Sequence, residues 1–171
     1  MPDAVEPILA GRSSGRAGLW ARRVAMCVLA AVMIAALCNV FGQRATTVHA
    51  TGPLARIDVR APATVRPGLL FQAKITLSVS AVLPKAQLIL SRGWIDGLTL
   101  NTEEPAAPSE TSGPDGSLVL SIGTLQPGSP YVQYLAYQVN PTSLSRRAQA
   151  ITLVSDGVAI VTLHRTMTIV P

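Results

Sequence analysis

Residues that could carry out acid–base or metal chemistry are few in this sequence and stand far apart. His49 and His164 are the only two histidines, and the only two cysteines, Cys27 and Cys38, fall within one long apolar run. A structural zinc site takes four Cys or His ligands at short spacing, and a phosphate-binding loop needs a Gly-x-x-x-x-Gly-Lys-Ser/Thr pattern; neither occurs here. We therefore predict no catalytic, cofactor-binding or metal-binding residues and no enzymatic activity.

The acidic residues form one group that could bind a cation. Glu103, Glu104, Glu110 and Asp115 fall within the Pro-, Ser- and Gly-rich stretch Asn101–Ser117. Carboxylate oxygens are calcium ligands, but this spacing matches no calcium-binding loop. We predict a long solvated loop, which is either an idle insertion or the place where a partner binds. In the second interpretation Glu103 and Glu104 are candidate interaction residues.

One tryptophan stands out because it lies in a short connection between two apolar runs. Trp94 is the centre of the stretch Ser91-Arg92-Gly93-Trp94-Ile95-Asp96-Gly97-Leu98. It either closes one end of the hydrophobic core or stands outside it as an interaction anchor, a role in which tryptophan is enriched. We keep Trp94 as a third candidate interaction residue.

The most extended pattern in the sequence is an uncharged apolar run from Val24 to Gly42. As an α-helix rising about 1.5 Å per residue it is roughly 28 Å long, close to the ~30 Å hydrocarbon core of a bilayer. The run is longer than the apolar part of a secretory signal peptide. We predict a membrane-spanning helix here, with Val24, Leu29, Ile34 and Phe41 among its membrane-spanning residues.

Arginines predict the orientation of this helix. Four of them (Arg12, Arg16, Arg22 and Arg23) precede it, whereas Arg44 is the only one directly after it. The basic flank of a single span stays in the cytoplasm. The predicted order is a disordered cytoplasmic tail over 1–23, the membrane helix over 24–42, a juxtamembrane stalk over 43–53 and an extracytoplasmic domain over 54–171. Cleavage after Ala50 is the alternative, and it would release the domain as a secreted protein.

The net charge of +5 does not indicate nucleic-acid binding. Residues 1–44 account for +3 of it, and these charges set the membrane orientation. The outer region is nearly balanced, so we predict no nucleic-acid partner. Arg outnumbers Lys twelve to two, a bias that indicates a GC-rich bacterial genome.

Beyond Leu54 the apolar residues repeat with period two. The alternation is clearest from Leu69 to Val79, and it recurs in shorter runs up to Val170. Turn dipeptides such as Pro67-Gly68 and Asp156-Gly157 separate the runs. This pattern predicts a mainly β domain, an antiparallel sandwich of seven or eight strands.

A turn before one of these strands resembles a known corner. The run Leu125-Gln126-Pro127-Gly128-Ser129-Pro130-Tyr131 resembles the tyrosine corner of fibronectin type III and other immunoglobulin-like sandwiches, with Leu125, Pro127, Gly128 and Tyr131 as its structural residues. The longer run from Leu118 to Val139 resembles bacterial surface domains of the DUF11 and CARDB-like kind. The resemblance implies an immunoglobulin-like Greek-key fold, a bond from Tyr131 to nearby backbone, and an adhesive or spacer role. The sequence departs from the pattern in having one copy and in having Pro130 before the tyrosine.

These observations together predict a single-pass, non-catalytic protein of the bacterial plasma membrane. Its outer β-sandwich is expected to act as a binding or scaffolding module. The rival interpretation is an accessory subunit that docks through its helix onto a larger membrane complex. The predicted partners are the lipid bilayer and another membrane or envelope protein, and no small-molecule substrate is indicated.

Overall fold

The described residues of the N-terminal part of the chain form one helix. In this computed structural model, which describes residues 15–38, 43–113 and 115–170, helix α1 covers Gly15–Leu37. It begins within the stretch 1–23 that we predicted to be disordered, because Ala17, Leu19 and Ala21 are good helix formers that extend the apolar helix toward the N-terminus. Phe41 lies outside the described residues.

The apolar side chains of α1 are exposed within the N-terminal unit. Val24, Leu29 and Ile34 are 56%, 66% and 61% exposed. The segment Gly18–Leu37 is long and apolar enough to cross a membrane, a property that signal sequences share. The chain separates into two units, Met1–Gly42 and Gln43–Pro171, so the helix and the rest are described separately.

The second unit is a sandwich of two β-sheets. Its described residues form eleven strands: β1 (Ala45–Thr51), β2 (Ala55–Pro62), β3 (Thr64–Val65), β4 (Leu70–Val79), β5 (Leu83–Leu90), β6 (Leu98–Glu104), β7 (Ser109–Ser112), β8 (Leu118–Leu125), β9 (Tyr131–Val139), β10 (Ser145–Ser155) and β11 (Val158–Ile169). One sheet has the order β1-β2-β4-β9-β6 and the other has the order β3-β11-β10-β5-β8-β7. All pairs are antiparallel except β3 with β11.

The structure has more strands than the seven or eight predicted. The predicted stalk 43–53 contains β1, which pairs with β2 over seven residues. The predicted loop Asn101–Ser117 contains the end of β6 and all of β7, which pairs with β8. Both interpretations were wrong because they relied on apolar alternation, and these two strands have little of it. Backbone pairing with a neighbouring strand is enough to order them.

The core lies between the sheets and is built by period-two alternation. In β4, Phe71, Ala73, Ile75 and Leu77 point inward and are buried. The inward positions of β11 follow the same rule but include a charged residue, Arg165. No cysteine lies in this unit, so packing and hydrogen bonding hold it together without a disulfide.

Candidate functional site

The side chain of Trp94 is part of the hydrophobic core and closes one end of it. It belongs to a 3₁₀ turn at Arg92–Trp94 and its side chain is fully buried. Its ring centroid is 5.9 Å from that of Tyr137, which in turn stacks on Phe71 at 5.4 Å. The turn can approach β10 this closely because Gly93 has no side chain: a Cβ there would lie 1.9 Å from the carbonyl oxygen of Ala148. Trp94 is therefore not accessible as a surface anchor in this structure.

A buried cation lies against Trp94. The guanidinium of Arg165 is 5.6 Å from the indole centroid, and its Nη2 donates to the carbonyl oxygens of Pro62 at 2.5 Å and Ala61 at 3.4 Å. Burial lowers the pKa of Arg165. Among the described residues no carboxylate forms an ion pair with it. Sequence reasoning missed this residue, although the alternation of β11 places it on the inward face with Leu163 and Met167.

The predicted corner is present as a turn, but its hydrogen bond has a different partner. Leu125 is buried at the end of β8, and Gly128 has a positive φ of 86° in the turn that follows Pro127. The hydroxyl of Tyr131 donates to Oε1 of Gln133 at 2.6 Å rather than to backbone.

The side chain of Gln133 also forms a hydrogen bond with the segment between β6 and β7. It is buried, and its Nε2 donates to the carbonyl oxygen of Pro105 at 2.8 Å. Tyr131 is thus connected through one side chain to the segment between β6 and β7. Partial burial, and secondarily the charge of Glu103, raises the pKa of Tyr131.

The two acidic candidates have different environments. Glu103 is partly buried and its Oε1 accepts a hydrogen bond from the backbone N–H of Ala107 at 2.7 Å. Glu104 is exposed at the end of β6. Glu103 therefore holds the segment after β6 in place, whereas Glu104 is free to meet solvent or a partner.

The histidines lie in different sheets. His49 is on β1, opposite Asp58 of β2, and His164 is exposed on β11. A hydrogen bond from Arg56 is the main cause that lowers the pKa of Asp58, and the charge of His49 contributes less. Within the part of the chain that the structure describes, no group of three or more His, Cys, Asp or Glu residues could hold a metal ion.

The edges of the sheets are the remaining surfaces that can bind, because edge strands present unpaired backbone groups. Most of these edges carry a feature that discourages pairing. A register shift interrupts β6 between Leu100 and Thr102, and the strand ends in Glu103 and Glu104. The four residues of β7 include Glu110. The two residues of β3 cover β11 only at Thr168 and Ile169.

Two edges remain to be compared. The part of β11 that β3 leaves open carries an inward-pointing charge, Arg165, which is one of the known devices against strand pairing. By contrast, β1 has seven residues, Ala-Thr-Thr-Val-His-Ala-Thr, with no proline and no acidic, Lys or Arg side chain. We call the open side of Ala45–Thr51 the β1 edge. It is the one edge among the described residues that has none of these devices.

Comparisons with known proteins gave matches among solved structures alone. No protein-family model matches the sequence, and no curated protein sequence matches it either. Among solved structures, a cohesin module from a family 33 glycoside hydrolase of Clostridium perfringens is 14% identical, with a TM-score of 0.42, and the match covers 70% of this chain and 98% of that one. A CARDB domain from Pyrococcus furiosus, in complex with di-metal ions, is 12% identical, with a TM-score of 0.41, and covers 70% and 92%.

A third structure belongs to a protein described as catalysing macrocyclisation in alchivemycin A biosynthesis. It is 9% identical, with a TM-score of 0.42, and the match covers 76% of this chain and 90% of that one. At these identities the similarity concerns the fold alone. The resemblance to CARDB-like domains is confirmed at that level: this chain carries a β-sandwich domain structurally similar to CARDB and cohesin modules, preceded by an apolar N-terminal helix.

Proposed function

We propose that this chain is a single-pass protein of the bacterial plasma membrane whose extracytoplasmic β-sandwich binds another protein without catalysing a reaction. One observation carries the proposal: apolar side chains are exposed along α1, whereas the β-sandwich buries most of its own and exposes a few, such as Leu70 and Val158. Leu29 and Ile34 are more than half exposed, while Ile75 and Leu88 are fully buried. Apolar surface exposed on this scale marks contact with a membrane or a partner.

The position of β1 supports an anchor that is retained rather than cleaved. Cleavage after Ala50 would remove nearly the whole of β1, including Val48 and Ala50, which pack against the core. It would also leave the backbone groups of β2 that now pair with β1 without partners. A retained N-terminal segment keeps this strand in place.

The arrangement of polar residues supports binding rather than catalysis. His49 and His164 lie in different sheets, and the side chain of Asp58, which faces His49, is held by Arg56. A general base needs a substrate proton within hydrogen-bond reach and a pKa suited to proton transfer. The β1 edge is instead suited to backbone pairing with a strand of another polypeptide chain.

Membrane fractionation tests the anchor. We expect the full-length chain to remain in the membrane pellet after alkaline extraction and to retain its N-terminal segment in mass spectrometry. Protease added to intact cells should digest residues 43–171 and spare the cytoplasmic tail. A soluble chain that begins at Thr51 would contradict the proposal.

A helix exchange tests which unit binds the partner. In one variant, an unrelated apolar helix replaces residues 24–42. We expect this variant to capture the same protein as the natural chain, because the proposal places binding in the β-sandwich. Loss of capture with an intact domain would instead favour an accessory subunit that docks through α1.

A further inference from the structure

The hydrogen-bond phase of β1 determines which of its residues face the open edge. The N–H of Gly52 donates to the carbonyl oxygen of Ala55 at 2.8 Å, so Gly52 and Ala55 form a hydrogen-bonded pair. In an antiparallel ladder, hydrogen-bonded and non-hydrogen-bonded pairs alternate. Thr46, Val48 and Ala50 therefore bond to β2. The residues between and beside them direct their N–H and C=O groups to the open side; these residues are Ala45, Thr47, His49 and Thr51.

β1 is the outermost strand of its sheet, so no strand of the described residues pairs with this open side. Thr47, His49 and Thr51 are exposed. Just beyond the end of β1, the carbonyl oxygen of Ile160 of β11 lies 2.7 Å from the position of a Cβ on Gly52. Gly52 is four residues after Val48, and side chains alternate between the two faces of a strand, so a Cβ on Gly52 would point to the inner face as Val48 does. The contact with Ile160 therefore lies on the inner face of the sheet. It does not block the approach of a strand within the plane of the sheet.

We propose that two copies of this chain associate through their β1 edges, in an antiparallel pair centred on Val48. This register overlaps all seven residues of both strands. It places Thr47 opposite His49 of the second copy and Ala45 opposite Thr51 of the second copy. Each is a hydrogen-bonded pair, because all of these residues face the open side.

A second copy suits this edge better than a foreign strand for two reasons. First, β1 has no acidic, Lys or Arg side chain, and the proposed register places its one histidine opposite a threonine, so self-pairing brings no like charges together. Such a two-fold contact is closed, since the same patch serves both copies. Second, anchoring in one membrane raises the effective concentration of each copy for the other. This second reason rests on the proposed function.

Disulfide trapping tests the register directly. In a Cys27→Ala, Cys38→Ala background, one tagged chain carries Thr47→Cys and a differently tagged chain carries His49→Cys. Hydrogen-bonded antiparallel pairs have Cα atoms about 5.5 Å apart, which suits a disulfide. We expect oxidation of membranes that contain both chains to give a mixed dimer. Each chain alone should give little dimer, because the diagonal spacing of about 7–8 Å is too long.

Two controls make the result decisive. Thr166→Cys, exposed on β11, reports random collision and should not cross-link above background. Thr47→Pro removes an N–H that faces the open side and leaves the ladder to β2 intact, so it should abolish the dimer measured by native mass spectrometry in detergent. Thr47→Ser keeps that N–H and should retain the dimer.

The outcomes separate this proposal from the proposed function. A membrane-retained chain with no mixed cross-link above the Thr166→Cys level would overturn the β1 dimer and leave the anchor standing. Equal cross-linking by Thr47→Cys alone would overturn the register, and cross-linking of the edge to a different protein would overturn the second copy as its occupant. A chain that is not retained in the membrane fails the fractionation test and overturns the proposed function instead.

Discussion

The helix and the β-sandwich use the same apolar residue types in opposite ways. Ile34 in α1 is 61% exposed, whereas Ile75 in β4 is fully buried within its own unit. Burying apolar surface stabilises by roughly 25 cal/mol per Å², so the sandwich gains this stabilisation from folding. The helix gains it only from a second apolar medium. The fold of the sandwich and the proposed membrane contact of the helix therefore depend on different residues.

The largest expected effect distinguishes Trp94 in the sandwich from Trp20 in the helix. Trp94→Ala should destabilise the β-sandwich by about 3–5 kcal/mol, because it leaves a cavity beside Tyr137 in a core that cannot fully collapse. Trp20→Ala is the matched control: Trp20 is exposed on α1 and its loss should leave the unfolding of the sandwich unchanged. Urea denaturation of the detergent-solubilised chain, followed by hydrogen exchange of the β-strands, measures both.

A charge introduced into the helix should reduce membrane retention and leave the stability of the sandwich unchanged. Ile34→Arg places in the helix a side chain whose insertion costs about 2.5–3.5 kcal/mol at the bilayer centre. We expect less protein in the alkaline-washed membrane pellet and no change in the unfolding of the sandwich. Ile34→Leu is the control and should be retained like the natural chain. If Ile34→Arg instead destabilised the sandwich, the two units would not be independent.

Most of the sandwich was predictable because its central strands bury one face. The alternation from Leu69 to Val79 correctly predicted β4, and similar runs predicted most of the strands that contribute to the core. The edge strands were missed for a physical reason. β7 is wholly polar, and β1 offers only Val48 and Ala50 to the core, so backbone pairing rather than side-chain pattern orders them.

The site residues were predictable only in part. The turn before Tyr131 was readable because Gly128 adopts a positive φ that favours glycine. The partner of its hydroxyl, Gln133, was not, because the Gln133 side chain is held by the carbonyl oxygen of Pro105, which it meets only in the folded sandwich. The burial of Trp94 likewise depends on the close approach of Gly93 to β10, which no local pattern reports.

Alkaline pH provides a third test, which probes the interior of the sandwich. Tyr137 is buried beside Phe71 and Trp94, and burial, with smaller contributions from the charges of Glu103 and Glu110, raises the pKa of its hydroxyl. In the unfolded chain the pKa of tyrosine is about 10, so above that pH the unfolded state releases a proton that the folded state keeps. The free energy of unfolding should therefore fall by up to about 1.4 kcal/mol per pH unit above pH ~10.

The matched variant for this test is Tyr137→Phe. The hydroxyl of Tyr137 has no hydrogen-bond partner among the described residues, so its removal should not lower stability at neutral pH. In this variant the free energy of unfolding should fall less steeply above pH ~10. The fall that remains comes from Tyr131, whose pKa is also raised. Denaturant midpoints measured from neutral to alkaline pH give both quantities. An unchanged slope would contradict the assignment of the decline to Tyr137.

The smallest expected effect concerns the hydrogen bond of Tyr131. Tyr131→Phe removes the donor to Gln133 and should lower the free energy of unfolding of the sandwich by about 0.5–1.5 kcal/mol, the usual net value of one hydrogen bond.

Tyr134→Phe, on the same strand, is the control and should have no comparable effect, because its hydroxyl makes no hydrogen bond with the described residues. Combining Tyr131→Phe with Gln133→Met in a double-mutant cycle should show a coupling energy, since the two side chains are in contact. Additive effects would mean that the 2.6 Å contact does not stabilise the corner and that the turn at Gly128 alone determines where β9 begins.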